Sequence, residues 1–361
     1  MNSKTALTAI LWAASLIATH AQLVIPSDGS DGPLNVAAGE TVVIDLAKAI
    51  TGPWNTKNAD HAGQGVYDPD KWAVIFKYSS VNIEGTLTFA NHPTRAPVVW
   101  LVNGSVQISG VVDVSGKNAV VGVEALTSAE PGPGGFRGGV TGPLGNGTGL
   151  GPGGSSSGQY LGWYGNPQVV PLIGGSGGQG TSGFYGGGPG GGAIFIASVA
   201  EIAINGKLKA NGGTASNPGV SGPGSGGAIK LVAAKVSGIG QLEAHTGGYP
   251  AGANGRIRVE TLQMSSALTF IPETVSVPPA NPPIIWPPDS APEVRVLRVD
   301  GVDSPSEPTA QLARSADIAL QNDKPVEIVI ETRNFPLEGA VELKAVGKFG
   351  GSGGWLRASY V

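Results

Sequence analysis

One phrase recurs along the chain: alternating apolar residues, a glycine, alternation again, then small residues. It reads SVNIEGTLTFANH from Ser80, SVQISGVVDVSGKNA from Ser105, EIAINGKLKANGGTA from Glu201 and KVSGIGQLEAHTGG from Lys235. The pivots are Gly85, Gly110, Gly206 and Gly240. In the last three copies a further strand-like run lies just upstream: VVWLV from Val98, AIFIA from Ala193 and AIKLVA from Ala228. Period-two alternation marks half-buried strands. A short unit of two or three strands turned by glycine cannot bury its apolar face alone, and stacked copies can. The expected fold class is therefore all-β, a parallel β-helix (solenoid) taken as right-handed. Its inward candidates are Val74, Phe76, Val81, Ile83, Leu87, Phe89, Val99, Leu101, Val106, Ile108, Val112 and Val114.

A segment of different composition interrupts the repeats. Glycine and proline, 59 and 28 residues, make up about a quarter of the 361-residue chain, and they concentrate at about 131–192. There PGPGGFRGGVTGPLGNGTGLGPGGSSSG and IGGSGGQGTSGFYGGGPGGG flank the denser island QYLGWYGNPQVVPLI. Glycine keeps no strict three-residue period across the whole stretch, which excludes a collagen triple helix. Ordering glycine costs backbone entropy and returns almost no apolar burial. The stretch is expected to leave the solenoid as a long excursion. It would touch the stack mainly through Tyr160, Leu161, Trp163, Tyr164 and residues 169–173.

The ends differ from the middle. Lys4, an apolar run over residues 6–18 and the small residues around Thr19-His20-Ala21 read as a signal peptide, residues 1–21, cleaved before Gln22. Residues 22–75 are expected to cap the solenoid, which runs over 76–274 with the excursion inside it. Within the cap, ETVVIDLAKAI gives one strand or a short helix. Closely spaced prolines in residues 275–293 forbid a helix and read as a semi-rigid linker. Beyond it, residues 294–361 carry EVRVLRVDGV, KPVEIVIETRNFP and GAVELKAVGKF, a small C-terminal β-sandwich of immunoglobulin-like style. In KPVEIVIE, Val326, Ile328 and Ile330 would face inward.

Composition narrows the partners. Charged residues are 13% of the chain, the formal net charge is −4, and Lys and Arg form no cluster, so nucleic acid is not an expected partner. The chain has no cysteine, so an exported form is held by packing alone. No second apolar run follows the first, and the mature protein is not expected to be integral to a membrane.

Several constellations bear on chemistry. Sugar cleavage needs two carboxylates about 5–10 Å apart, and Glu84, Asp113, Glu201 and Glu243 lie on different registers of the repeat, each expected to point singly to solvent. A loop with Asp60, His61, Asp68 and Asp70 is the one calcium candidate, although Asp- and Gly-rich loops form turns readily and the calcium-hand pattern is missing. No other cofactor is implied. With only His61, His92 and His245 after the signal, no nucleophilic triad is apparent. Tyr160, Trp163 and Tyr164 are candidates for stacking on sugar rings; the alternative is that they anchor the excursion.

The runs FKYSSVNIEGTLTFANHPTRAPVVWLVNGSVQISG and YGNPQVVPLIGGSGGQG, with rungs of the GGGAIFIASVAEIAINGKLKANGG type, resemble the glycine-rich predicted β-solenoid proteins exported by some Gram-negative bacteria. The resemblance covers residues 22–360 and implies a secreted or cell-surface location. It brings no activity or site residue with it. The expectation is a non-enzymatic extracellular structural or adhesive protein, contacting polysaccharide or a matrix or cell-surface protein. The alternative is a polysaccharide-binding or polysaccharide-cleaving β-helix. A third possibility gives the C-terminal module a docking role.

Overall fold

The computed structural model describes residues 22–56, 63–121, 129–142, 145–154, 164–248, 253–308, 317–320, 325–336, 339–346 and 352–359. The signal-peptide reading of residues 1–21 lies outside them. The described chain is nearly all β, and its only helical element is a 3-10 turn at Leu46–Lys48, capped by the Asp45 side chain. No helix among the described residues is long and apolar enough to cross a membrane.

Three sheets organise residues 33–277, and the chain visits them in rotation. The first sheet receives Ala73–Tyr78, Val98–Val102, Ala193–Ser198, Ala228–Val232 and Arg256–Glu260 as parallel neighbours. The second receives Ser80–Ile83, Val106–Ile108, Glu201–Ile204, Lys235–Ser237 and Gln263–Met264. The third receives Thr86–Ala90, Val111–Asp113, Lys207–Lys209, Gln241–Glu243 and Thr269–Ile271. The residues expected to cap this stack in fact begin it. Pro33–Val36 pairs with Ser80–Ile83, and Thr41–Asp45 with Thr86–Ala90, both in parallel.

Corresponding apolar positions share one core: Val81, Val106 and Ile202 in the second sheet, and Leu87, Val112 and Leu208 in the third, are buried together. The pivot glycines stack as well. None of Gly85, Gly110, Gly206 and Gly240 has a positive φ. What requires glycine at Gly110 and Gly206 is space, because a methyl on either would overlap the carbonyl oxygen of the pivot glycine in the preceding unit.

The first sheet differs from the other two in being buried on both faces. Val98, Trp100 and Val102 point into the central core, whereas Val99 and Leu101 belong to a second apolar cluster on the outer face. The inward assignment of Val99 and Leu101 is thus reversed. A strand buried on both sides reads as a continuous apolar run, and such a run carries no alternation from which to choose a face. The remaining inward candidates lie in or against the central core. Leu23 and Ile25, Val169 and Leu172, and the proline-rich segment through Ile285 and Trp286 cover the outer face. That segment is more than a linker: Ser276–Val277 extends the first sheet, Asn281 hydrogen-bonds Val24 N (2.9 Å) and Gln22 O (3.2 Å), and Trp286 packs on Trp54.

The glycine-rich stretch does not behave as a loose excursion. Across it the stack simply continues, with Val98–Val102 paired directly to Ala193–Ser198. The described glycine runs are themselves buried and bonded backbone to backbone. Residues 174–180 meet four neighbouring segments. Gly175 N and Gly178 N donate to Gly191 O and Gly188 O, while Gly177 N and Gly180 N donate to Leu150 O and Gly147 O. Phe136 N and Gly139 N donate to Gly175 O and Gly178 O, while Ser225 N and Gly222 N donate to Ser176 O and Gln179 O.

A β-strand bonds two neighbours in one plane. Here four neighbours are each met at positions three residues apart, the geometry of an extended threefold helix of the polyproline II type. Such helices approach neighbours this closely only where most positions are glycine, as in GGSGGQG here. Of the expected anchors, Val169 and Leu172 pack on the outer face of the first sheet, and the amide hydrogen bonds supply further cohesion that glycine cannot supply by apolar burial.

Past residue 290 the described residues form a three-stranded antiparallel sheet of Glu293–Val299, Val302–Asp303 and Ile328–Arg333, and an antiparallel pair Glu342–Val346 with Ser352–Arg357. Val326 and Ile328, expected to face inward, are exposed and line an open cleft with Val341 and Leu343.

One core residue invites a test. The Tyr78 ring packs against Phe76 and Trp100, and its buried hydroxyl meets no hydrogen-bond partner among the described residues. Burial, with Asp31 adding to it, raises the Tyr78 pKa well above its ordinary value near 10. The stability contributed by this proton is complete below pH 10 and declines as pH rises beyond it, since only the unfolded tyrosine ionises there. Tyr78→Phe should stabilise the protein by about 1 kcal/mol at neutral pH and reduce the loss of stability above pH 10, measured by urea denaturation. A clear destabilisation at neutral pH would show that the hydroxyl is bonded after all.

Candidate functional site

The residues singled out in the sequence do not converge. Tyr160, Trp163, Asp60 and His61 lie outside the described residues. Tyr164 donates its hydroxyl to Gly174 O (2.6 Å), and its ring lies 5.4 Å from the Arg256 guanidinium. Arg256 in turn donates to the Tyr164 carbonyl, and Arg258 donates to Pro167 O (3.1 Å). These contacts fasten residues 164–167 to the outer edge of the first sheet. Burial raises the Tyr164 pKa.

Asp68 uses both carboxylate oxygens on backbone amides: Oδ1 accepts from Asp70 N and Lys71 N, and Oδ2 from Trp54 N. That is a turn cap. Among the described residues no group of three or more His, Cys, Asp or Glu side chains is placed to hold a metal ion.

Of the four repeat carboxylates, Glu84 pairs with Asn82, and Glu201 with Lys235 (3.0 Å) and Ser237. Glu243, expected on the solvent face, is buried. Lys207 Nζ (3.1 Å) and Asn211 Nδ2 (3.0 Å) engage its two oxygens, and His245 Nε2 stands 3.8 Å away. These hydrogen bonds and the nearby lysines outweigh the effect of burial and hold its pKa below the usual carboxylate range.

Asp113 lines a cavity. A cleft of about 530 Å³ lies where the chain leaves the third sheet and the glycine segment begins. Three stretches far apart in sequence build it: residues 89–95 after Thr86–Ala90, residues 113–117 after Val111–Asp113, and residues 130–137. At its centre Glu130 faces two guanidiniums, with Arg95 Nε 3.2 Å from Oε1 and Arg137 bonded to Oε2. Asn91 Nδ2 donates to Glu130 Oε1 (2.9 Å) and to Pro131 O (2.7 Å). Burial lowers the Arg137 pKa while Glu130 opposes that shift.

The cleft wall is rigid. His92 stacks on Tyr67 with ring centres 3.9 Å apart, its Nδ1 lies 2.8 Å from Thr94 Oγ1, and burial lowers its pKa, favouring the neutral ring. Trp72 Nε1 donates to Thr94 O (3.1 Å). Asp113 Oδ1 accepts from Ser115 N (2.9 Å), and the Lys117 side chain stands exposed on the rim.

Chemically the cleft holds an ion-paired carboxylate rather than a pair of carboxylates poised for proton transfer. Both Glu130 oxygens are held in ion pairs, and using them as an acid or base would first cost those contacts. Sequence reasoning passed over Arg95, Glu130 and Arg137; the signal available was that two of the few arginines, with a glutamate, bracket the start of the glycine-rich stretch. No protein-family model, curated protein or solved structure matches this chain.

Proposed function

We propose that the protein is an extracellular, non-enzymatic structural or adhesive scaffold, exported by its N-terminal segment and presented in the secreted fraction or on the cell surface. In this reading residues 33–277 coil as a right-handed parallel β-solenoid. The glycine-rich stretch projects from it as a rigid block, and residues 294–361 form a small immunoglobulin-like sandwich. The observation that carries the reading is the bonding of residues 174–180 to four neighbouring segments. Such a block resists bending and offers a fixed surface, which suits display better than it suits catalysis.

A second reading, binding or cleavage of polysaccharide, is favoured by the charged cleft around Glu130 and Asp113. The two separate in one experiment. Protein beginning at Gln22 is incubated with cell-wall and extracellular polysaccharides, with and without calcium, scoring both retention and product release. The scaffold reading expects no shortened or unsaturated sugar in any condition. Product release would overturn it.

A further inference from the structure

We propose that the cleft beside Glu130 is a binding site for acidic glycans, seating a sugar-borne carboxylate or sulfate between Arg95 and Lys117. The inference deepens the adhesive reading and rests on it only for the glycan as the source of the anion.

Charge is the first support. Two guanidiniums converge on the single carboxylate of Glu130, and Lys117 on the rim has no carboxylate partner among the described residues. The lowering of the Arg137 pKa has the Arg95 charge among its causes, as expected where positive charge accumulates in a partly desolvated site. An arriving anion would relieve that repulsion.

An acceptor for hydroxyl groups is the second support. Asn91 makes both of its contacts through its amide nitrogen, to Glu130 and Pro131, and so braces the cleft rather than facing a ligand. Asp113, on the cleft wall, commits Oδ1 to the Ser115 amide, and its Oδ2 has no partner among the described residues. A ligand carrying only an anion would use the cations and bring no donor to the Asp113 oxygen. A polyhydroxylated body bearing an anion uses both. The volume, about 530 Å³, falls within the range of pockets that take small organic ligands. The wall is set in advance by the His92–Tyr67 stack and the Trp72–Thr94 bond, so little ordering is required on binding.

The test titrates the full chain from Gln22 by calorimetry with hexameric oligogalacturonate, with a κ-carrageenan hexasaccharide, which carries sulfate but no carboxylate, and with maltohexaose. Binding of one or both acidic hexamers, weakening as salt rises to about 0.3 M, and none of maltohexaose, is expected; which acid binds tells carboxylate from sulfate. Lys117→Glu, on an exposed rim residue, should weaken that binding about tenfold or more. Lys48→Glu, outside the cleft, should leave it unchanged. No binding of either acid, or equal binding by the two variants, would overturn the proposal and leave the scaffold reading in place. Shortened product in the same cell would sink the non-enzymatic reading and leave the cleft as the site that holds the sugar.

Discussion

Gly190→Ala is expected to destabilise the protein by about 3 kcal/mol or more, an unusually large effect for one added methyl group. An alanine Cβ at this position would overlap the carbonyl oxygen and carbon of Gly175, and both are backbone atoms with no flexible end to move aside. Gly190 N also donates to Phe136 O (2.8 Å), and Gly190 O accepts from Gly132 N (3.2 Å). Separating the segments to admit the methyl strains these bonds together, at about 0.5–1.5 kcal/mol each. Gly219→Ala is the matched control. Its nearest neighbour is Asn217 Oδ1 at 3.5 Å, its φ is not positive, and alanine there should be neutral or slightly stabilising. Urea denaturation measures both, and amide exchange over residues 174–180 shows whether the bundle opens before the sheets. A Gly190→Ala midpoint equal to that of the parent chain would mean that the segments are not packed backbone to backbone.

Much of the parallel stack is written in period-two alternation. Val81, Ile83, Leu87, Val106, Ile108 and Val112 all occupy the inward positions that alternation assigns them. The rule fails at VVWLV, where Val99 and Leu101 face outward onto Ala73, Phe195 and the covering segments. Both faces of that strand are dry, and an apolar run on two dry faces has no parity to read. Glycine misleads in a different way. Across 131–192 as a whole there is no strict triplet, yet GGSGGQG keeps one locally, and its hydrogen bonds recur at that spacing. The collagen period is a requirement of three chains meeting on one axis. A bundle folded from one chain needs the triplet only where a segment is surrounded, so the signal is confined to short stretches.

The cleft was the least legible part. Arg95, Glu130 and Arg137 have no spacing that suggests a site, and only the stacking of successive units under the start of the glycine block brings them together. Glu243 teaches the same lesson. Its place in an alternating run predicts solvent, but Lys207 and Asn211 close over it.

Glu260→Ala is the second change expected to be severe, costing about 3–5 kcal/mol at neutral pH. Lys230 and Glu260 are both buried on the outer face of the first sheet, with Lys230 Nζ 3.4 Å from Glu260 Oε1. Lys230 Nζ also donates to Ile284 O (2.8 Å) and lies 5.5 Å from the centre of the Phe195 ring, so this one ammonium holds the proline-rich segment against the sheet. Removing the carboxylate leaves a buried cation with a carbonyl, a ring face and the like-charged Arg258 for company.

The pH dependence identifies the cause. Burial lowers the Lys230 pKa, Glu260 works to raise it, and Arg258 lowers it further. A lysine whose folded pKa is depressed binds fewer protons in the folded state. Its contribution to stability therefore rises with pH from that folded pKa up to the unfolded value near 10.4. Without Glu260 the folded pKa drops again and the window widens downward. The deficit of Glu260→Ala relative to the parent chain should shrink as pH rises from the variant's folded lysine pKa to the parent's, and stay level above it. Lys230→Met is the counterpart. Arg258 Nε still holds Glu260 at 2.6 Å, so no carboxylate is stranded, and the cost should be about 1–2 kcal/mol, mainly from the Ile284 carbonyl losing its donor. In the double variant Lys230→Met, Glu260→Ala, most of the loss should vanish, because no unpaired ammonium remains. A deficit that stays constant with pH and survives in the double variant would assign the damage to lost packing, and the buried lysine would no longer be what makes Glu260 necessary.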